Sequence, residues 1–346
     1  SKLFLDDPKQ RRILVPLVGF SAGIGWLIPG AKMPTGSVDI WQPEAITFLS
    51  IYLNPLFLAG LLLMIGTLYW LELARREGKP KYALFAGLHL LLLGNVHTYD
   101  VLTVACVWVA YVFVLCVVEK RFLLKTIGLS ALAAAIALPS IAYQFHVYAI
   151  DPIYRLRANT PILSPPIWSF IEGYGLILLG AIASAAVLFA NRKSRIENRK
   201  WLLPIVWSVV GFAVPYIPIA QQRKLVMGLH IPLCVLCAYA IVALLNAFRA
   251  MKTDEKGLGS MWAPRIVEIR ILLLTILFWM FVVISPLNFI LSDIDLLNQG
   301  RTAPNYSPFI PNQALAAMNY LREHGKQSDS VYAPPDFALF TPAVTG

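Results

Sequence analysis

The residues of this chain that could do chemistry sit in short stretches between long apolar runs. Asp39-Ile40-Trp41-Gln42-Pro43-Glu44 carries two carboxylates, and His97-Thr98-Tyr99-Asp100 sets an imidazole three residues from another. Asp151, Arg155 and Arg157 form a third group, and Gln221-Gln222-Arg223-Lys224 a fourth. A carboxylate beside an imidazole can fix its tautomer, hold a base or help bind a metal. Two such residues do not make a metal site, so no metal is assigned and the matter of a divalent ion stays open. Arginine suits bidentate phosphate contacts and lysine supplies a point charge. Arg155, Arg157, Arg223 and Lys224 therefore fit an anion at the interface, such as a lipid phosphate or pyrophosphate. Plainer roles fit as well: capping or loop solvation for Asp39, turn-amide bonding for His97 and Asp100, and ion pairing with Asp151, Glu172 or headgroups for the basic residues.

The elements that must position these groups are membrane spans. Of the 346 residues 58% are hydrophobic and only 14% charged, with a mean hydropathy of +0.66. That is the composition of a polytopic membrane protein. Runs near the ~20 residues a crossing helix needs occur at 13–29, 55–74, 82–96, 101–118, 126–149, 169–190, 201–219, 227–247 and 269–292. They predict an all-α bundle of about nine spans over 1–292.

The charges orient it. Of the 29 Lys and Arg, 21 fall in segments 1–12, 75–81, 119–125, 191–200 and 248–270, and the alternate loops and the tail hold the other eight. Acidic residues show no such bias, as the positive-inside rule requires. The N-terminus is thus expected in the cytoplasm, and all four polar stretches on the outer side. The net charge of +10 belongs to this anchoring, because the basic residues sit at span ends and not on one amphipathic face, so nucleic acid is not an expected partner. The bias also splits 82–118 into two crossings joined by a tight outer turn at His97–Asp100. The arm leading to that turn climbs only about 24 Å, against a core of ~30 Å, so the turn should be recessed and need protein partners or a water-filled cavity.

Pro43 and Glu44 suit the first turn of a helix. Continued over 43–54, such a helix gathers Glu44, Thr47, Ser50 and Asn54 in one polar stripe, the pattern of an interfacial helix or one facing a cavity. Cys234 and Cys237 form a C-x-x-C without His or acidic neighbours, which reads as packing. His89, His146 and His230 are assigned no role. Residues 293–346 change character. Asn305-Tyr306-Ser307 lies in a loop and fits a glycosylation sequon, Asn312 caps a short helix that Gly325 stops, and Ser330–Ala333 reads as a strand. One helix and one strand cannot bury a core alone, so this stretch predicts the start of an extracytoplasmic α/β domain, in a chain expected to be truncated at both ends.

Gly23-Ile24-Gly25-Trp26-Leu27, Asp39-x-Trp41-x-Pro43-Glu44 with Phe48-Leu49-Ser50 and Asn54-Pro55, His97-x-Tyr99-Asp100, and Arg223-Lys224 before Gly228-x-x-Ile231-Pro232 resemble a family of uncharacterised bacterial polytopic membrane proteins. Tyr320-Leu321-Arg322-Glu323-His324 and Ser330-Val331-Tyr332-Ala333-Pro334 resemble the start of the periplasmic domain that follows their last span. In layout that family is similar to the glycosyltransferase C superfamily. The resemblance implies a multi-pass protein of the bacterial inner membrane that takes a sugar from a polyprenyl-phosphate carrier on the outer face. Glu44 or Asp39 would be the catalytic base, unless that base lies upstream of Ser1. His97, Asp100, Arg155, Arg157, Arg223 and Lys224 would bind substrate, and no organic cofactor is implied. A transporter, or a multi-pass protein without catalysis, is the alternative class. Carriers tend to keep ionisable residues mid-span and to show repeats, and neither is evident in the sequence.

Overall fold

The computed structural model describes residues 4–28, 36–190, 197–254, 263–300, 310, 312–326, 329–333 and 341. They form twelve α-helices: α1 Pro8–Phe20, α2 Thr47–Leu53, α3 Pro55–Glu77, α4 Pro80–Val96, α5 Tyr99–Glu119, α6 Leu124–Ile150, α7 Pro152–Asn159, α8 Ile167–Ala190, α9 Leu202–Ala213, α10 His230–Asp254, α11 Ala263–Gly300 and α12 Asn312–His324. Six stretches, in α3, α5, α6, α8, α10 and α11, are long and apolar enough to cross a membrane. The other three expected spans fall short. Helices α1, α4 and α9 have 13, 17 and 12 residues, about 20, 26 and 18 Å at 1.5 Å per residue, below the ~30 Å core.

Local chemistry sets the ends. Asn54 caps α3 by accepting the Leu56 N–H at 2.9 Å with Pro55 in the first turn, and Asp151 caps α7 in the same way. Helix α3 stops at Gly78, whose φ of +67° is a left-handed cap that glycine adopts freely. Helix α4 gives out at His97, whose backbone leaves the helical region before α5 begins two residues later.

Side-chain contacts fix the directions. Trp70 of α3 packs on Tyr82 and Phe85 of α4, while Gly66 meets His89, so α3 and α4 are antiparallel. Asp100 of α5 lies against Gly60 and Tyr111 of α5 reaches Glu72, so α5 runs with α3. Helices α4 and α5 are therefore antiparallel and joined by a tight turn. The core between them comprises Leu61, Met64, Leu68, Leu93, Val107, Trp108, Tyr111 and Trp207.

Four of the five basic segments, 1–12, 75–81, 119–125 and 191–200, meet at one end of the bundle through their described residues. Lys125 lies beside Gly78, Arg199 is 3.6 Å from Glu119 at the end of α5, and Lys200 pairs with Asp6 ahead of α1. The turn at 97–100 lies at the opposite end, near the start of α3.

The helix expected from Pro43 starts instead at Thr47, because Ile46 is extended. Groups that would have closed its first turn are captured from outside it: the Pro43 carbonyl accepts from Ser50 Oγ at 2.6 Å and the Ala45 carbonyl from Tyr174 at 3.2 Å. Residues 288–346 form a separate compact unit. In it α12 buries Met318 and ends where Gly325 N–H bonds back to Leu321. Residues 330–333 form no strand, and the sequon at 305–307 lies outside the described residues.

Candidate functional site

Three irregular segments make the polar end: the connection from α1 to α2, the turn between α4 and α5, and the stretch 214–229 between α9 and α10. The last is braced from α7 and the loop after it. Ile162 N–H donates to the Ala220 carbonyl at 2.6 Å and Arg223 N–H to the Ile162 carbonyl at 3.1 Å, while Gln221 Nε2 donates to the Thr160 carbonyl at 2.8 Å. Gln42 Nε2 ties the first segment to the third through the Arg223 carbonyl at 3.2 Å.

The two acidic residues of the first segment differ in their surroundings. Asp39 is 1% exposed, and its carboxylate accepts from Gly25 N–H at 3.1 Å, Ser285 Oγ at 2.5 Å and Ser37 Oγ. Burial pushes its carboxyl above the usual range, while these donors pull it back part of the way. Every oxygen is used, and the group pins the loop to α11. Glu44 is 4% exposed. One of its oxygens is 3.9 Å from Arg223 Nη2 and the other is buried with no hydrogen-bond partner among the described residues.

Opposite Glu44 stand His97 and Asp100. His97 Nδ1 is 3.1 Å from Asp100 Oδ2, close but angled, so that neither carboxylate oxygen makes a well-aligned hydrogen bond. Phe57 and Tyr99 set their ring edges against the imidazole, and Gly60 leaves the room: a Cβ there would lie 3.1 Å from Asp100 Oδ2. Glu44 and Lys224 are within electrostatic reach of Asp100, and Lys224 is within reach of Glu44, Arg157 and Arg223. Lys224 lies 4.4 Å over the Tyr99 ring and Arg223 5.4 Å over that of Trp41, contacts that hold cations on aromatic faces. The carboxylates form a floor and the partly exposed cations a rim.

The structure thus brings Glu44, His97, Asp100, Arg157, Arg223 and Lys224 together. Asp39 is held in its own nook. Arg155 stands exposed on α7 and donates to the Ala149 carbonyl. Among the described residues no three His, Cys, Asp or Glu converge as metal ligands.

Sequence reasoning passed over three residues. His230, 1% exposed, joins three helices through Thr47 Oγ1 at 3.1 Å and Ser21 Oγ at 3.2 Å. Ser21 spends its hydroxyl proton on the Leu17 carbonyl, so the His230 proton belongs on Nε2 and its role is structural. Gly60 carries no signal beyond its type. Glu72, fully buried in α3, takes Arg75 at 2.8 Å, Arg76 at 2.6 Å and Tyr111 at 3.1 Å. Its spacing of three and four residues from two arginines was the available clue.

Below the polar cluster lies an apolar cavity of about 370 Å³, lined by Val15, Gly19, Ile65, Tyr69, Trp207 and Val235 among others. Val15, one of its lining residues, is 71% exposed. Along α3, Ile65 to Tyr69 follow Gly60 by five to nine residues, about 8–14 Å deeper. Gly228 links the two levels by packing its backbone on Met64 and Trp207. Comparisons of the chain with protein families, curated proteins and solved structures give no match.

Proposed function

We propose that this chain is a membrane glycosyltransferase of the bacterial inner membrane, moving a sugar from a polyprenyl-phosphate carrier to an acceptor on the outer face. In this reading the basic end is cytoplasmic and the chain crosses nine times. Helices α1, α4 and α9 complete their crossings through irregular segments whose polar groups are met inside the protein, the condition for non-helical backbone at membrane depth. The α12 unit then lies outside.

The observation that carries the reading is a cationic rim set over a lateral apolar cavity. An amphiphile with a phosphate head and an isoprenoid tail matches both levels. Arg223 and Lys224 would hold the phosphate and stabilise the charge that grows on it as the sugar leaves, the electrostatic term that is worth most in a dry site. Phosphate is a good leaving group, so no organic cofactor is required. The acidic and imidazole groups of the floor are placed to accept the proton of the incoming hydroxyl.

A buried carboxylate in a span is also a mark of carriers. Glu72 is such a group, but two arginines and a tyrosine hold it, which suits a fixed pin better than a titrating relay.

The test uses the full chain in lipid nanodiscs with labelled polyprenyl-phosphate sugars, comparing wild type with Glu44→Gln and Arg223→Ala. Transfer should fall in both, with donor KM raised in Arg223→Ala. Equal transfer by all three proteins would exclude these residues from the mechanism.

A further inference from the structure

We infer that His97, held by Asp100, is the proton acceptor of the polar cluster. This rests on the transferase reading and names its base. Glu44 already faces Arg223, so its charge is engaged by the cations that would hold phosphate. Asp100 feels Lys224 only at a distance, and among the described residues it makes no ion pair with either cation. It is 0% exposed, and among the described residues both its oxygens lack an aligned donor. His97 Nδ1, 3.1 Å from Oδ2, is placed to supply one.

The geometry selects a tautomer. Of the two imidazole nitrogens, Nδ1 is the one sealed inside and turned to Asp100. A proton on Nδ1 relieves the buried carboxylate and leaves the Nε2 lone pair free for an incoming hydroxyl. The opposite tautomer would set a bare nitrogen against a bare carboxylate, two acceptors facing each other in a buried site. The Phe57 and Tyr99 edges and the absent side chain at Gly60 hold the ring and the carboxylate at this spacing. The angled contact is of the kind that tightens when a substrate is bound.

The step balances as follows. The acceptor hydroxyl gives its proton to His97 Nε2 while its oxygen forms the new bond to the anomeric carbon. The bond from that carbon to the phosphate oxygen breaks, and its electron pair leaves on the phosphate beside Arg223 and Lys224. The imidazolium, paired with Asp100, then releases its proton to the outer side. Asp100 is a positioning residue here, and His97 is the catalytic one.

The tautomer can be read without turnover. The full chain carries five histidines, and ¹³C,¹⁵N-histidine labelling in lipid nanodiscs with solid-state NMR, assigned through His97→Gln, reports which nitrogen of His97 bears the proton. We expect Nδ1–H in the wild type and a shift towards Nε2–H in Asp100→Asn. Transfer by His97→Gln should drop roughly 10²–10⁴-fold in kcat with donor KM retained. The acid limb of the pH–rate profile should vanish with it, although Glu44, Tyr99, Arg223 and Lys224 still face the site. An Nε2–H wild type, a tautomer indifferent to Asp100→Asn, or a His97→Gln variant as fast as wild type each overturns the inference. An Nδ1–H wild type that transfers no polyprenyl-linked sugar upholds the pair and overturns the transferase reading instead.

Discussion

Removing the Asp39 carboxylate should loosen the polar end by an amount the hydrogen bonds define. Oδ2 holds the Gly25 N–H and the Ser285 hydroxyl, and Oδ1 holds the Ser37 hydroxyl alone. In Asp39→Ala, Ser285 can turn back to a carbonyl one turn earlier in α11, as helical serines do, and Ser37 is equally free to rotate. The Gly25 amide cannot move without its backbone. One orphaned buried amide at ~1–3 kcal/mol, with the small void left behind, sets the loss at roughly 2–4 kcal/mol. In Asp39→Asn the amide oxygen can replace Oδ2, and its NH₂ can face Ser37, whose hydroxyl accepts as readily as it donates. The loss should then stay under about 1 kcal/mol. Acidity adds a second signature. The folded-state carboxyl lies above the ordinary 3.8, so the folded chain binds that proton more tightly than the unfolded one. The contribution is complete below about pH 3.8 and is lost as pH rises through the raised value. Asp39→Asn cannot ionise, so it should gain on wild type between acid and neutral pH. Equilibrium unfolding in mixed detergent–lipid micelles at several pH values reads both effects. An asparagine as damaging as alanine, or an alanine without cost, would refute the reasoning.

Glu72→Ala should cost about 2 kcal/mol in the same assay. That is less than the ~3–5 kcal/mol typical of a broken buried pair, because the Arg75 and Arg76 side chains are 21% and 33% exposed and can swing to water. Gly228→Ala should cost about 1–3 kcal/mol, since φ there is +84° and the added methyl would meet Met64 and Trp207 at 3.1 and 3.2 Å; melting temperature against an Ala-tolerant control such as Gly128→Ala reads it. Single cysteines at Asn159 and Arg199 should label from opposite faces of sealed vesicles with an impermeant maleimide, and labelling of both from one face would end the topology proposed above.

The long spans were legible because apolar runs in α3, α5, α6, α8, α10 and α11 leave little choice of secondary structure. The tight turn at 97–100 was legible too, since the lysines and arginines at 75–81 and 119–125 had to share an end. Helix starts in the polar end were not. Pro43 looks like a first-turn residue, yet the partners that claim its carbonyl and that of Ala45 come from Ser50 and from Tyr174, 129 residues away from Ala45. The site was half visible for the same reason. His97 and Asp100 are neighbours in sequence, so their pairing could be anticipated. The meeting of Glu44 with Arg223, and the capture of Asp39 by Ser285, are long-range contacts that no local pattern encodes. Gly60 and the cavity beside Trp207 are properties of packing, and appear only once helices are placed.

The bond between Asp39 and Ser285 joins residues 246 positions apart, and Ala22 N–H likewise reaches the Val282 carbonyl. At ~5–20 residues per second of synthesis, roughly 10–50 s separate the emergence of the two partners from the ribosome. Through that interval the segment between α1 and α2 has its carboxylate but not the hydroxyl that fastens it. The segment carrying Glu44 is therefore finished only once α11 has been made, and a nascent chain acquires its polar end after α1 to α10 have been synthesised.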